Sequence, residues 1–134
     1  MKILYTALIL GCLYGCSITE DGIIINTPNV PSVNLCQNVA TDAQAENMRD
    51  QIKDQTFKDE KLQRARLVTK DFCFVSAQVV TIIDGFTFDD NKLTMAKELY
   101  EHTTDRKTNY TLVVDSFTHK SDRDELMEYI QNNP

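Results

Sequence analysis

The stretch from Val79 to Tyr110 reads VVTIIDGFTFDDNKLTMAKELYEHTTDRKTNY, and it decides the fold. Its first apolar residues are spaced i, i+3, i+4 and i+7, a spacing that places side chains on one face of a helix. These residues are Val79, Ile82, Ile83 and Phe86. After a polar break, a second apolar set is spaced for another helix and consists of Leu93, Ala96 and Leu99. The stretch therefore predicts two helices joined by a short turn, with Phe86 and Leu93 in the core.

The same pattern recurs on both sides at an offset of 31 residues. Moving the first apolar set by this offset gives Tyr110, Val113, Val114 and Phe117. One helix pair cannot bury its own apolar stripe, so neighbouring pairs must stack. The sequence thus predicts an all-α domain with about six short helices in three stacked pairs. The predicted helices lie at roughly 41–54, 58–71, 76–86, 90–104, 108–117 and 122–132.

The polar breaks before several predicted helices carry helix-start signals. The segments 56–59 and 87–90 both have the form Thr-x-x-Asp, which is close to a capping box. Thr56 and Thr87 are therefore predicted as N-caps, because a threonine oxygen can accept from a free backbone N–H. Ser76 and Ser121 are predicted to begin later helices in the same way.

The composition is that of one globular domain. The chain has 134 residues, of which 42% are hydrophobic and 25% charged, with only four glycines and three prolines. Its net charge of −6 argues against nucleic acid as a partner, because proteins that bind nucleic acid need a basic patch. An acidic balance also keeps an exported domain soluble.

The N-terminus resembles the leader of a bacterial lipoprotein. Lys2 precedes an apolar run over residues 3–14 that is too short to span a bilayer but suits a signal-peptide core. The segment Leu13-Tyr14-Gly15-Cys16 resembles a lipobox, in which an aliphatic, a variable and a small residue precede a cysteine. The resemblance implies a signal peptide at 1–15 and a diacylglycerol thioether on Cys16. The alternatives are lipidation at Cys12, a plain signal peptide or a short membrane anchor.

Residues 16–40 are predicted to form a tether, and residues 41–134 the helical domain. Pro28 and Pro31 lie among polar residues, a composition that favours extended chain. Ser17 stands where an aspartate would resemble an inner-membrane retention signal. We therefore expect an outer-membrane lipoprotein of the bacterial cell envelope, facing the periplasm or the cell surface.

Two cysteines remain for the domain, Cys36 and Cys73. They have no Cys-x-x-Cys spacing and no histidine pair nearby, so zinc ligation is not expected. Outside the cytoplasm a disulfide between them is the natural pairing, and two separately buried thiols are the alternative.

The sequence predicts no catalytic residue, no cofactor and no metal site. His102 and His119 are isolated on different segments, and Asp89-Asp90-Asn91 lacks the spacing of a calcium loop. Acidic and basic residues alternate near the fourth helix, which predicts a solvated face with local ion pairs. These residues are Lys97, Glu98, Glu101, Asp105 and Arg106.

Residues of all three helix pairs also resemble a known family, a helical domain of unknown function. They are Phe57, Lys61, Leu62, Ala65, Cys73, Gln78, Val79, Phe86, Phe88, Lys92, Leu93, Ala96, Lys97, Tyr100, Asp105, Asn109, Tyr110, Val114, Phe117, Leu126, Tyr129 and Ile130. This domain is frequent in secreted and lipid-anchored proteins of Bacteroidota-like bacteria. The resemblance covers about residues 36–131 and implies a fold and an envelope location, but no activity. His119 departs from the family pattern, where an aromatic is more usual.

Functions of different classes remain open. The leading hypothesis is a non-enzymatic, lipid-anchored domain that binds an envelope protein or a glycan, since stacked helix pairs offer an extended binding face. The alternatives are a small hydrolase or handler of cell-wall fragments that uses carboxylates such as Glu98 and Asp105, and a structural spacer.

Overall fold

A computed structural model describes residues 36–134, and within them the chain folds into seven helices with no strand. The predicted signal peptide at 1–15, the predicted lipidation of Cys16 and most of the predicted tether lie outside the described residues.

The helices follow the predicted order. They are α1 (Asp42–Lys53), α2 (Lys58–Thr69), α3 (Ser76–Ile83), α4 (Asp89–Tyr100), α5 (Arg106–Asn109), α6 (Thr111–Asp115) and α7 (Lys120–Asn132). The helix predicted at 108–117 is present as two short helices, α5 and α6, separated at Tyr110. The ψ of Tyr110 is −11°, far from the value near −42° of a regular α-helix, so the helix is interrupted there.

The helices stack in two layers. The pairs α1–α2, α3–α4 and α6–α7 each pack together, joined by short turns. Helix α3 also packs between α1 and α6, and α4 packs between α2 and α7. One layer therefore contains α1, α3 and α6, and the other contains α2, α4 and α7. The second-layer helices begin at Lys58, Asp89 and Lys120, at intervals of 31 residues.

The core lies between the layers and is built from the predicted stripes. Both apolar sets, from Val79 to Phe86 and from Tyr110 to Phe117, are buried at every predicted position. Phe86 and Leu93 are buried, as predicted. Phe74 is also fully buried, although it lies in the segment between α2 and α3 where no helical pattern marks it as a core residue.

A close approach of α1 to the end of α3 requires the glycine at position 85. A Cβ atom on Gly85 would lie 2.7 Å from the backbone oxygen of Arg49 and 3.0 Å from the Cβ of Ile52. Real Cβ atoms do not approach backbone oxygen so closely, so a larger residue would push the two helices apart.

Ion pairs join the second-layer helices across their exposed faces. Arg66 of α2 holds Glu98 of α4 with a shortest contact of 2.5 Å, and Lys97 of α4 contacts Glu125 of α7 at 2.6 Å. The prediction of local ion pairs near the fourth helix is therefore wrong for Lys97 and Glu98, because both pair with residues of neighbouring helices. Parallel packing of α2, α4 and α7 brings opposite charges from neighbouring helices within reach. Such exposed pairs each contribute at most about 1 kcal/mol.

Three of the predicted N-caps are also wrong, each by one or two residues, although the helix predicted from residue 58 does begin at Lys58. The N-caps of α2, α4 and α7 are Phe57, Phe88 and His119, and none of them makes a side-chain capping hydrogen bond. The first backbone bonds of these helices run to the carbonyls of those three residues, so Thr56 and Thr87 lie outside the helices. Ser121 lies inside α7.

Ser76 is the first residue of α3 rather than its N-cap, which is Val75. In contrast, Thr41 caps α1 through a full capping box with Gln44.

Candidate functional site

The two ends of the helical stack differ in construction. At one end, three segments connect successive helix pairs or enter the first pair; we call residues 36–41, 70–76 and 101–106 the bridged end. At the other end, a turn closes each pair; we call residues 53–60, 84–90 and 115–122 the turn end.

The bridged end is held by a disulfide and by backbone hydrogen bonds. Cys36 and Cys73 are disulfide-bonded with their Cα atoms 5.8 Å apart, which confirms the predicted pairing. The backbone N–H of Ala40 donates to the carbonyl of Cys73 at 2.8 Å, and that of Phe74 donates to the carbonyl of His102 at 2.9 Å. The three segments thus lie side by side. Residues 36–40, which the sequence analysis placed in the tether, belong to the same compact unit as the helices.

Asp105 caps the start of α3 from a distant position in the chain. Its Oδ1 accepts from the backbone N–H of Ser76 at 2.7 Å and from the Ser76 hydroxyl at 2.8 Å, and its Oδ2 accepts from Asn109 at 2.9 Å. Burial raises the pKa of Asp105, but the hydrogen bonds from Asn109 and Ser76 outweigh this effect and hold the pKa below its usual value. The carboxylate is therefore a structural group that stabilises the N-terminus of α3.

Gln78 completes the connection between the first two helix pairs. Its buried side chain accepts from the backbone N–H of Val75 at 3.1 Å and donates to the carbonyl of Ala40 at 2.8 Å. It also donates to Asp42 at 2.9 Å. A buried amide that is hydrogen-bonded to several neighbouring groups fixes one arrangement of the segments that it joins.

The turn end carries an exposed row of rings, which we call the aromatic edge and define as Phe57, Phe88 and His119. These residues are the N-caps of α2, α4 and α7 and are 31 positions apart. Phe57 and Phe88 are 66% and 55% exposed, and the His119 side chain is 68% exposed. N-cap positions favour serine, threonine, aspartate and asparagine, so aromatic side chains are unusual there.

Contacts between neighbouring turns keep the aromatic edge together. The Lys58 ammonium contacts Asp90, and the Asn91 side chain donates to the carbonyl of Lys58 at 2.8 Å. On the other side, His119 lies 3.4 Å from Asp89. Lys58 directly follows Phe57, Asp90 lies two residues after Phe88, and His119 is itself part of the aromatic edge. The contacts therefore place the three rings along one rim of the stack.

Cations from the second layer satisfy backbone carbonyls at the turn end. Buried Lys61 donates to the carbonyls of Ile52 and Lys53 at 3.2 Å and 2.9 Å. Arg123 donates to the carbonyls of Phe117 and Thr118 at 2.7 Å and 2.9 Å. These hydrogen bonds stabilise the two outer turns.

Clefts lie on the sides of the described helices. One, of about 420 Å³, lies between α1 and α2 and is lined mainly by apolar and amide side chains. Another, of about 130 Å³, lies between α2 and α4 and is lined by Arg66, Lys70, Glu98 and His102 among others. Arg66 and Glu98 pair with each other, and the Lys70 ammonium lies 3.9 Å from Asp71.

The residues suggested for the enzyme alternative are bound to structural partners. Glu98 pairs with Arg66, and Asp105 holds Ser76 and Asn109. Across residues 36–134, the structure contains no group of three or more side chains with the types and proximity needed to bind a metal ion. Over the same range, no helix is both long enough and apolar enough to cross a membrane.

Sequence reasoning located the disulfide but missed the aromatic edge. The edge is a repeated exposed ring, whereas apolar periodicity identifies buried faces. The signal was present in the 31-residue spacing of Phe57, Phe88 and His119, next to three threonines spaced in the same way.

A comparison with protein families assigns the fold to a known group. The family described as Domain of unknown function (DUF4476) matches residues 39–130, and the chain belongs to this family. No curated protein and no solved structure matches the chain significantly.

Proposed function

We propose that this chain is a lipid-anchored protein of the bacterial cell envelope whose helical domain binds an envelope protein or a glycan without catalysing a reaction. The lipid anchor rests on the lipobox-like segment that ends at Cys16. The binding role rests on the domain.

The aromatic edge carries the proposal. Three helices begin with an exposed ring and no side-chain cap, although a polar N-cap would stabilise each by about 0.5–2 kcal/mol. Departures from local stability rules that recur at equivalent positions are typical of functional sites. Exposed aromatic side chains are also enriched where proteins bind partners.

The engagement of the acidic residues supports a non-enzymatic role. Glu98 and Asp105 have strong hydrogen-bonding partners in the fold, so neither is poised as a free acid or base. A general acid or base needs a pKa near the working pH, and the pKa of Asp105 is shifted in the opposite direction.

A pull-down from envelope extract tests the binding role. The full-length protein is immobilised, and bound material is identified by mass spectrometry and by glycan staining. We expect one species to be enriched over a control column that carries an unrelated protein of similar size and net charge. Equal recovery from both columns would contradict a binding role. Turnover of cell-wall fragments that is lost in Glu98→Gln or Asp105→Asn would instead favour the hydrolase.

Radiolabelled palmitate tests the anchor. Two acyl chains or more are needed for stable membrane attachment, so Cys16→Ala should abolish both labelling and membrane partition. Cys12→Ala is the matched control, and it should leave both unchanged. Labelling that survives Cys16→Ala would contradict the proposed lipidation site.

A further inference from the structure

The charge of the domain is concentrated at one end. The turn end carries three basic and eight acidic side chains, whereas the rest of residues 36–134 carries ten of each. The side chains of Lys61 and Arg123 also reach carbonyls of these turns. With these two counted, the turn end has five basic and eight acidic side chains, so it remains the acidic end of the described domain and also carries the aromatic edge.

Side chains, rather than helix dipoles, produce this asymmetry. The N-termini of α2, α4 and α7 and the C-termini of α1, α3 and α6 all lie at the turn end. Three positive and three negative helix ends cancel to a first approximation. The acidic side chains therefore set the electrostatic potential around the exposed rings.

From the aromatic edge and the charge around it, we infer that the turn end is a docking surface for a basic, arginine- or lysine-rich segment of a partner protein. This inference rests on the proposed binding function and names the surface and the class of partner. A cation placed over the face of an exposed phenylalanine is attracted by the ring, and the neighbouring carboxylates add a complementary charge.

Other occupants fit this surface less well. A second copy of the chain would bring two acidic surfaces together, and like charges in contact disfavour association. Anionic lipid headgroups and nucleic acids would be repelled for the same reason. A neutral glycan can stack on the rings, but the carboxylates give it no advantage from net charge.

The acidic side chains closest to the aromatic edge are accessible to such a partner. Asp59 and Glu60, one turn or less from Phe57, are both exposed, and neither forms an ion pair with another residue in the range 36–134. Asp90 contacts Lys58, and the hydrogen bond from Lys58 holds the pKa of Asp90 below its usual value, so this carboxyl remains ionised. A basic segment would therefore meet charged carboxylates on the α2 and α4 sides of the rings.

Fluorescence anisotropy with a labelled oligoarginine peptide tests the inference on the purified full-length protein. An oligoglutamate peptide and a neutral oligosaccharide of N-acetylglucosamine are the comparison probes. We expect oligoarginine to bind, with an affinity that falls as salt is raised, and we expect neither comparison probe to bind.

Paired variants separate the rings from the charge. Phe57→Ala with Phe88→Ala should weaken oligoarginine binding about tenfold, from two exposed cation–π contacts, without lowering the melting temperature. The matched control is Leu67→Ala with Leu112→Ala, because these leucines are 55% and 52% exposed but lie outside the turn end. Asp59→Asn with Glu60→Gln should weaken binding and reduce its salt dependence, whereas Glu46→Gln with Glu128→Gln should weaken it less.

Several results would overturn the inference. One is the absence of oligoarginine binding, and another is equal binding by the phenylalanine and leucine pairs, which would indicate unspecific charge attraction. Binding of the neutral oligosaccharide that is lost in the phenylalanine pair would assign the edge to a glycan. If the pull-down enriches a partner that the Phe57→Ala, Phe88→Ala variant still binds, the inferred docking surface is contradicted while the proposed binding function stands. If the pull-down enriches nothing, the binding function itself fails.

Discussion

The bridged end and the turn end solve the same structural problem in different ways. Both connect helices, and both bury a phenylalanine, Phe74 at one end and Phe86 at the other. At the bridged end, a disulfide, an aspartate cap and a buried glutamine tie three segments together. At the turn end, the helices begin with exposed rings and acidic side chains. The bridged end is thus joined by a covalent bond and buried polar contacts, whereas the turn end keeps two phenylalanine rings and several carboxylates exposed to solvent.

The largest effect should come from the two buried phenylalanines, and it should be similar at both ends. Phe74→Ala and Phe86→Ala should each lower the free energy of unfolding by about 3–5 kcal/mol, because each leaves a cavity in the core. Urea unfolding followed by circular dichroism measures the loss. Lys97→Ala is the control and should cost about 0.5 kcal/mol, as exposed ion pairs do. A loss at Phe74 as small as that at Lys97 would show that the bridged end unfolds separately from the core.

Removal of the disulfide at the bridged end should be nearly as costly. Cys36→Ser with Cys73→Ser should lower the free energy of unfolding by about 3–4 kcal/mol, since the bond closes a long loop in the unfolded chain. Reduction of the wild-type protein should produce the same loss. Two free thiols per chain, found by alkylation of denatured and unreduced exported protein, would contradict the bond.

Loss of the Asp105 charge should have an intermediate effect that depends on pH. Asp105→Asn should cost about 1–2 kcal/mol at neutral pH, because the bonds from Ser76 lose their charged acceptor. The pKa of Asp105 is lower in the folded protein than the unfolded value of 3.8, so its contribution is present above that value and is lost as the pH falls through the folded pKa.

Thermal melts across an acid series measure this dependence. The difference between wild type and Asp105→Asn should therefore shrink below about pH 4. A difference that stays constant at all pH values would show that the carboxylate charge does not act at α3. Asp124→Asn, at an exposed site away from the bridged end, is the matched control.

The smallest effect should have the opposite sign. Phe88→Ser should stabilise the domain by about 0.5–1 kcal/mol, because serine can cap α4 where phenylalanine cannot. Leu112→Ser, at a similarly exposed position inside α6, should give no such gain. Differential scanning calorimetry can resolve the two. A loss of stability in Phe88→Ser would mean that the ring contributes to the fold, and the contrast between the two ends would weaken.

Helix α4 shows how far the sequence predicts this fold. Leu93, Ala96 and Leu99 repeat with the period of a helix, and all three are buried. Helix α7 shows the limit of the same reasoning, because Leu126 is its only buried residue. As the last helix of its layer, α7 has a neighbour on one side only, and periodicity does not report where a stack ends.

Features that depend on a few neighbouring residues could be predicted from the sequence alone. These are the all-α class and the stripes that face the core. They are local because a helix repeats every 3.6 residues and buries the face that its own pattern makes apolar. The cysteine pair followed from the number of cysteines left for the domain.

The contacts between distant residues became known only from the packed structure. Asp105 caps a helix that begins 29 residues earlier, and Arg66 reaches Glu98 on the next pair. The observed N-caps are Phe57 and Phe88 rather than the predicted threonines, and helix packing places these two rings along one rim. Such contacts depend on the relative placement of whole helices, which is set by the packing of the core. The local sequence around each residue does not contain that information.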